Sequence, residues 1–420
     1  MSQDPEANRP SILLSAYSLD PFDKEQGSND WKLLGQIARF NSVHVVTRSS
    51  MQARIDDYLR KHPKDGMASV RFLYFDGGRV QDKADASGSV LKKQLWHYRL
   101  PDFIRKTNIE FDIVHHLGPR SGWVPSYLWK LGKPLVLGPL GKQPRVPRNY
   151  LVHTHGWSTY LRHELRWQIK ALIRKSDFLF TRNLNHAQAL ITTGDAVLNQ
   201  QVGSGIFTIK MPVSGGYESY PVASRYSKGS DFTVLAAGTL LPENGFDLAI
   251  RSFARFYHPL PIEEKKRCRL VIAGDGPDAG HLHRLVAEME LQGSVNFIPW
   301  MHTADMHALM GVSDVFLYAG MQGRCDRLAD AFSLGLPVVC FKGGICGDHV
   351  NKDCGITVPH GRFDGTITRF AEAIRLLHGN PVLYHKLSSG ARKVFADEFS
   401  WEAKGVRIQK LYDRLLQTAA

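Results

Sequence analysis

Short apolar runs alternate along this chain with stretches whose apolar residues recur three and four positions apart. In the second half, FTVLAAG (232–238), RLVIAG (269–274), DVFLY (314–318) and LPVV (336–339) have the length and composition of buried strands. After the first run, Phe246, Ala249, Ile250 and Phe253 fall at i, i+3, i+4 and i+7, which places them on one helix face. The first half repeats the theme in SILLSAYSLD (11–20), SVHVVTR (42–48), FDIVHHL (111–117), GKPLVLGPLGK (132–142) and SDFLFTRN (176–183). Strands alternating with helices predict an α/β chain with parallel sheets covered on both faces. A Gly-, Pro- and Ser-dense stretch at 212–230 reads as a linker. The tail, with Val406, Leu411 and Leu415 at helical spacing, predicts a closing helix.

At 420 residues the chain exceeds what one core sustains. The expected division is a Rossmann-like domain over 1–212, a second over 213–395, and a terminal helix over 396–420 that packs back across the domains. No apolar stretch reaches the ~18 residues that a membrane span needs. The first twenty residues hold one basic residue and a short apolar run, unlike a secretory signal. Five cysteines, an odd number, do not make a disulfide framework, which fits a reducing, cytoplasmic setting.

The net charge of +13 is uneven, for residues 120–175 hold eleven Lys or Arg and one acid, Glu164. Within that window WSTYLRHELRWQIKALIRKS (157–176) predicts a helix with two stripes. Leu161, Leu165, Ile169 and Leu172 form the apolar one; Arg162, Arg166, Lys170 and Arg174 form the basic one at strict i, i+4 spacing. Like charges so placed repel, so the stripe faces either counter-ions in solvent or an anionic surface such as a membrane or an acceptor. Nucleic acid is not expected, because no nucleic-acid motif or interleaved aromatics accompany the patch.

Three strand-to-glycine-loop units carry the candidate chemistry. Ligands of open α/β sheets bind beyond the carboxyl ends of strands, and glycine is needed where backbone approaches a phosphate. GDGPDAG (274–280) is one residue too long for the dinucleotide pattern G-x-G-x-x-G. An acid, Asp330, sits in the segment after the third strand with no obvious partner. Asp275 reads as a loop-orienting residue, Asp20 and Asp23 as loop acids facing acceptor or solvent. Cys340, Cys346, His349 and Cys354 have a spacing that zinc could use. Cys340, however, ends a buried run where cysteine acts as a small apolar residue, so no metal is expected.

Taken together, SLDPFDKEQGSNDW, FDIVHHLGPRSGWVPSYLWKLGKPLVLGPLG, AAGTLLPENGFDLAIRSF, RLVIAGDGP, DVFLYAGMQGRCDRLADAFSLGLPVV and FSWEAKGVRIQKLYDRLL resemble a family 4 glycosyltransferase. The resemblance implies the GT-B fold, two doubly wound Rossmann-like domains facing a cleft with a C-terminal crossover helix. It implies retaining, metal-independent sugar transfer from a nucleoside-diphosphate sugar to a glycan, often lipid-linked, acceptor, with no further cofactor. Two family glutamates eight apart correspond to Gln322, for donor-sugar hydroxyls, and Asp330, for the ribose. The family's diphosphate-binding Arg and Lys correspond to Thr239 and Asn244, so Arg324, Arg327 or Lys142 must bring the positive charge. Amides of Gly27, Gly238, Gly274 and Gly323 supply further donors, and Gly343 and Gly344 serve the donor loop. His116 corresponds to the family histidine near the reacting sugar; His115 is expected to bond a backbone carbonyl. The departures leave a second reading open, a GT-B body that binds a partner and no longer catalyses.

Overall fold

The computed structural model describes residues 9–22, 26–63, 66–77, 90–117, 126–141, 145–175, 182, 184–194, 205–216, 231–322, 327–343 and 346–419. The chain divides into two compact units: Met1–Lys142 with Ala171–Val213 and Trp401–Ala420, and Gln143–Lys170 with Ser214–Ser400.

The first unit is built on a seven-stranded sheet, β1 (Ser11–Ala16), β2 (Ser42–Thr47), β3 (Val70–Tyr74), β4 (Ile113–Leu117), β5 (Leu135–Leu140), β6 (Ala189–Thr192) and β7 (Phe207–Lys210). Its order is β3-β2-β1-β4-β5-β6-β7 and all pairs are parallel. Strand alternation sends Ile12, Leu14, Val43 and Val45 to one face, under Trp31 and Leu34 of the helix Gln26–Ala38 and Tyr412 of the helix Trp401–Ala419. Leu13, Val46 and Val114 go to the other face, under Trp96, Leu100 and Ile104 of the helix Val90–Lys106. The terminal helix lies against Gln26–Ala38, and an added Cβ on its Gly405 would meet Gln36. Its buried stripe is Ile408, Leu411, Tyr412 and Leu415, whereas Val406 is exposed. Val406 is thus a correction to the expected stripe: it falls two residues before Ile408, round the side of the helix.

The second unit carries β8 (Phe232–Ala237), β9 (Cys268–Ala273), β10 (Val295–Ile298), β11 (Val315–Tyr318), β12 (Val338–Phe341) and β13 (Gly355–Val358). The order β10-β9-β8-β11-β12-β13 is again all parallel. Phe246, Ala249, Ile250 and Phe253 all face the core from the helix Phe246–Tyr257, as their spacing predicts. The stretch 143–170 precedes the linker in sequence yet belongs to this unit, because Val146, Tyr150 and Leu151 are buried in its core. In both sheets the strand order reverses once, between β1 and β4 and between β8 and β11. Such a reversal leaves a crevice at the carboxyl ends where the connections part.

Candidate functional site

At the β8/β11 reversal three loops are packed backbone against backbone. A Cβ on Gly274 (φ +148) would strike the carbonyl of Gly238, one on Gly276 that of Leu240, and one on Gly245 that of Ala319. Glycine is therefore required by close approach of the chain to itself. The amides of Gly238 and Gly274 are engaged, donating to Ala273 O and Ile298 O, each at 2.9 Å. They are thus not the free phosphate donors that the sequence suggests. The exposed Thr239 amide, by contrast, has no partner among the described residues. Asn244 Nδ2 donates to Thr239 O at 2.7 Å and so fixes the loop that presents that amide. Asp275 accepts from Gly276 N at 2.7 Å, the loop-orienting role expected of it.

Gln322 and Asp330 flank the third loop. Gln322 is buried, its Oε1 lies 3.1 Å from His163 Nε2, and its carbonyl accepts from Tyr318 Oη at 2.8 Å. The imidazole arrives from the basic helix, Arg148–Lys175. Asp330, which looked partnerless, is clasped on both oxygens. Arg327 Nη1 donates to Oδ2 at 3.1 Å, and His307 Nε2 stands 2.9 Å from Oδ1 in a contact not aligned as a hydrogen bond. The Arg327 charge is thereby committed to Asp330. Sequence reasoning missed His163 and His307, which lie 159 and 23 positions from the residues they touch. Arg324, Gly323, Lys142, Gly344 and Asp23 lie outside the described residues. Gly343 is described and has a positive φ of 72°.

The basic helix is held to the same unit at its near end. His155 Nε2 sits 2.9 and 3.1 Å from the two oxygens of Asp278, and Arg145 pairs with Glu164 at 2.5 Å. Gly156, at φ 76° and ψ 175°, breaks the helix there. Beyond the break the expected apolar stripe exists but is not core: Leu161 is 59% and Leu165 63% exposed.

His116 and Gly27 belong to the first unit. Gly27 is in the first turn of Gln26–Ala38, where amides have no intrahelical partner. His116 ends β4 at the β1/β4 reversal, is 3% exposed and has neither ring nitrogen hydrogen-bonded. Burial, with His115 adding to it, pushes its pKa down to about 3. His115 has two partners, the expected carbonyl of Gly138 at 3.1 Å and Tyr412 Oη at 2.6 Å. Asp20 is neither free nor solvated alone: it accepts from Phe22 N and pairs with Arg54, both at 2.9 Å.

Of the cysteines, Cys346 is disulfide-bonded. Cys340 and Cys354 are buried thiols whose pKa burial raises, to about 11 for Cys354. Among the described residues no group of three or more His, Cys, Asp or Glu is placed to hold a metal ion. No helix among them is long and apolar enough to cross a membrane.

Residues 223–394 match the family model described as Glycosyl transferases group 1. An uncharacterized glycosyltransferase of Haemophilus influenzae is 26% identical over 41% of this chain and 47% of its own length. The lipopolysaccharide core biosynthesis glycosyltransferase LpsD of Rhizobium meliloti is 24% identical over 44% of this chain and 50% of its own. The match therefore spans about half the length of either relative. Among solved structures, Anabaena Alr3699/HepE in complex with UDP has a TM-score of 0.58 at 15% identity, covering 96% of this chain and 100% of that one. That likeness shows the fold, two doubly wound parallel sheets of the GT-B class.

Proposed function

With residues 223–394 matching the model of the glycosyl transferases group 1 family, we propose that the protein transfers a sugar from a nucleoside-diphosphate sugar to a glycan acceptor. The observation that carries this reading is the crowded carboxyl edge at β8/β11. There Thr239 offers an open amide, Gln322 is oriented by His163, and Asp330 is held in place by Arg327 and His307. The amide would serve a phosphate oxygen, the Gln322 carboxamide a sugar hydroxyl, and the Asp330 carboxylate a ribose hydroxyl. Retention at the anomeric carbon and independence of a metal complete the reading on the family resemblance. Anomeric configuration by NMR and turnover in EDTA test those two points. LpsD is named for lipopolysaccharide core biosynthesis, which supports a lipid-linked acceptor in polysaccharide or lipopolysaccharide assembly.

Calorimetry with UDP and GDP, then nucleoside-diphosphate release with a panel of donors, tests the proposal. Asp330→Ala is expected to weaken nucleotide binding about tenfold, since a hydrogen bond to a charged group contributes about 1.5 kcal/mol or more. Absence of nucleotide binding by the intact chain sinks the enzyme reading. The non-catalytic alternative is favoured by the double clasp on Asp330, and the same titration decides it.

The reading includes peripheral contact with an anionic membrane through the helix Arg148–Lys175. Trp157 (52% exposed), Leu161, Leu165 and Ile169 recur every fourth residue beside the exposed Arg162 and Arg166. Apolar insertion flanked by cations suits an anionic bilayer surface. Flotation with phosphatidylglycerol vesicles, lost in a Leu161→Glu, Leu165→Glu double variant, is the expected outcome.

A further inference from the structure

The β1/β4 reversal of the first sheet holds a second cluster, in which the Ser15 hydroxyl and both His116 nitrogens lack hydrogen-bond partners. Ser15 and His116 are register partners across β1 and β4, and Ser15 pairs with Val46 on β2. Strand alternation therefore sets Ser15, Tyr17, Arg48 and His116 on the face covered by the helix Val90–Lys106. From that helix His97 meets His116 edge to face, ring centroids 4.8 Å apart. Arg48 is only 2% exposed. Its Nε donates to Tyr17 O at 3.1 Å and its guanidinium lies 4.4 Å from the Tyr17 ring centroid, yet no carboxylate pairs with it among the described residues. The Ser15 hydroxyl and both His116 nitrogens are buried without partners as well.

A buried cation without a counter-charge is costly, and unpartnered buried polar groups are rare enough to call for a missing ligand or water. Burial keeps His97 and His116 neutral, so each imidazole has one N–H to give. Arg48 then supplies the full charge, with a planar fork that fits two oxygens of one group. Lys93 of the same helix, 5.7 Å from the Tyr17 ring, adds to the positive potential. We propose that this cluster binds an oxyanion, a carboxylate or a phosphate carried by the acceptor glycan, with Arg48 as its main contact and His97, His116 and Ser15 completing the cradle. The identity of the ligand as acceptor rests on the transferase reading; the anion site itself does not.

The test uses the full chain with 15N-labelled histidine and four probes: glucuronate, glucose 6-phosphate, glucose and inorganic phosphate. The expected result is a saturable shift of the His97 and His116 imidazole signals with glucuronate, glucose 6-phosphate or both, and none with glucose. Which of the two acts tells carboxylate from phosphate. Arg48→Gln should weaken that binding by about 10- to 100-fold, the scale of a lost charge-assisted contact. Arg48→Lys should recover part of it, keeping the charge without the fork, while UDP binding stays unchanged in both. Failure of both sugar anions to shift the wild-type signals overturns the proposal, as does an equal response to glucose or unaltered binding in Arg48→Gln. Inorganic phosphate binding as tightly as the sugar anions overturns the assignment to an acceptor. A chain that binds UDP but no sugar anion refutes this site alone; one that binds sugar anions but no nucleotide refutes the transferase reading and leaves the site standing.

Discussion

Over six strands the two sheets follow the same order and reverse it at equivalent places, yet their carboxyl edges are finished in opposite ways. At β8/β11 the loops are sealed on one another, the amides of Gly238 and Gly274 are used, and Asp330 and Gln322 each have side-chain partners. At β1/β4 a histidine, a serine and an arginine are buried with little or nothing to bond. One edge is preorganised, and its cost has already been met by the fold. The other stores unsatisfied polarity that a ligand would relieve. Preorganised groups suit a ligand common to many relatives, such as a nucleotide, whereas unsatisfied ones make binding sensitive to what the ligand brings.

The contrast can be broken most violently at Gly274. Gly274→Ala places a Cβ on the Gly238 carbonyl at a φ that L residues avoid, so urea denaturation should show a loss of about 3 kcal/mol or more in the second unit. Acid comes next, and it acts on the first edge. Burial lowers His97, His115 and His116, the last two to about 4 and about 3. Their unfolded forms take up protons from about pH 6.5 downward while the folded forms do not. Stability should therefore be fully present above that pH and be lost as the pH falls toward the folded values. The slope reaches about 1.4 kcal/mol per pH unit for each histidine. Thermal melts across pH 7 to 4 measure it, and His116→Phe should remove one histidine's share of the slope without lowering stability at pH 7. At the second edge His163→Ala removes the imidazole contact to Gln322 Oε1, for which about 1 kcal/mol, or fivefold in donor affinity, is expected by calorimetry. The smallest effect is Ser15→Ala, which deletes an orphan hydroxyl and should leave stability unchanged or raise it by under about 1 kcal/mol.

Much of the fold was legible because the central strands are buried on both faces and read as continuous apolar runs. The strands that escaped notice, β3, β7, β10 and β13, are the sheet edges, and their half-buried residues dilute that signal. β6 is internal but offers only ALIT. The strand expected at 176–183 falls mostly outside the described residues. Asp330 could be singled out from the local pattern, whereas Gln322 and His116 entered only through the family resemblance. His163 on Gln322 could not, because a contact across 159 positions leaves no periodicity to detect. The apolar stripe of the basic helix was legible as a stripe, but periodicity alone does not say whether core or solvent receives it.

Nothing lies within 4 Å of where a Cβ on Gly156 would sit. The space beside the bend is open, while His155 on Asp278 before it and Glu164 on Arg145 after it tie the chain down. Upstream, Tyr150 and Leu151 moor the chain in the core; downstream, the same rod that turns Leu161 and Leu165 outward keeps His163 on Gln322. The outer apolar ridge and the imidazole that meets the Gln322 carboxamide therefore belong to one continuous stretch of helix beyond the bend.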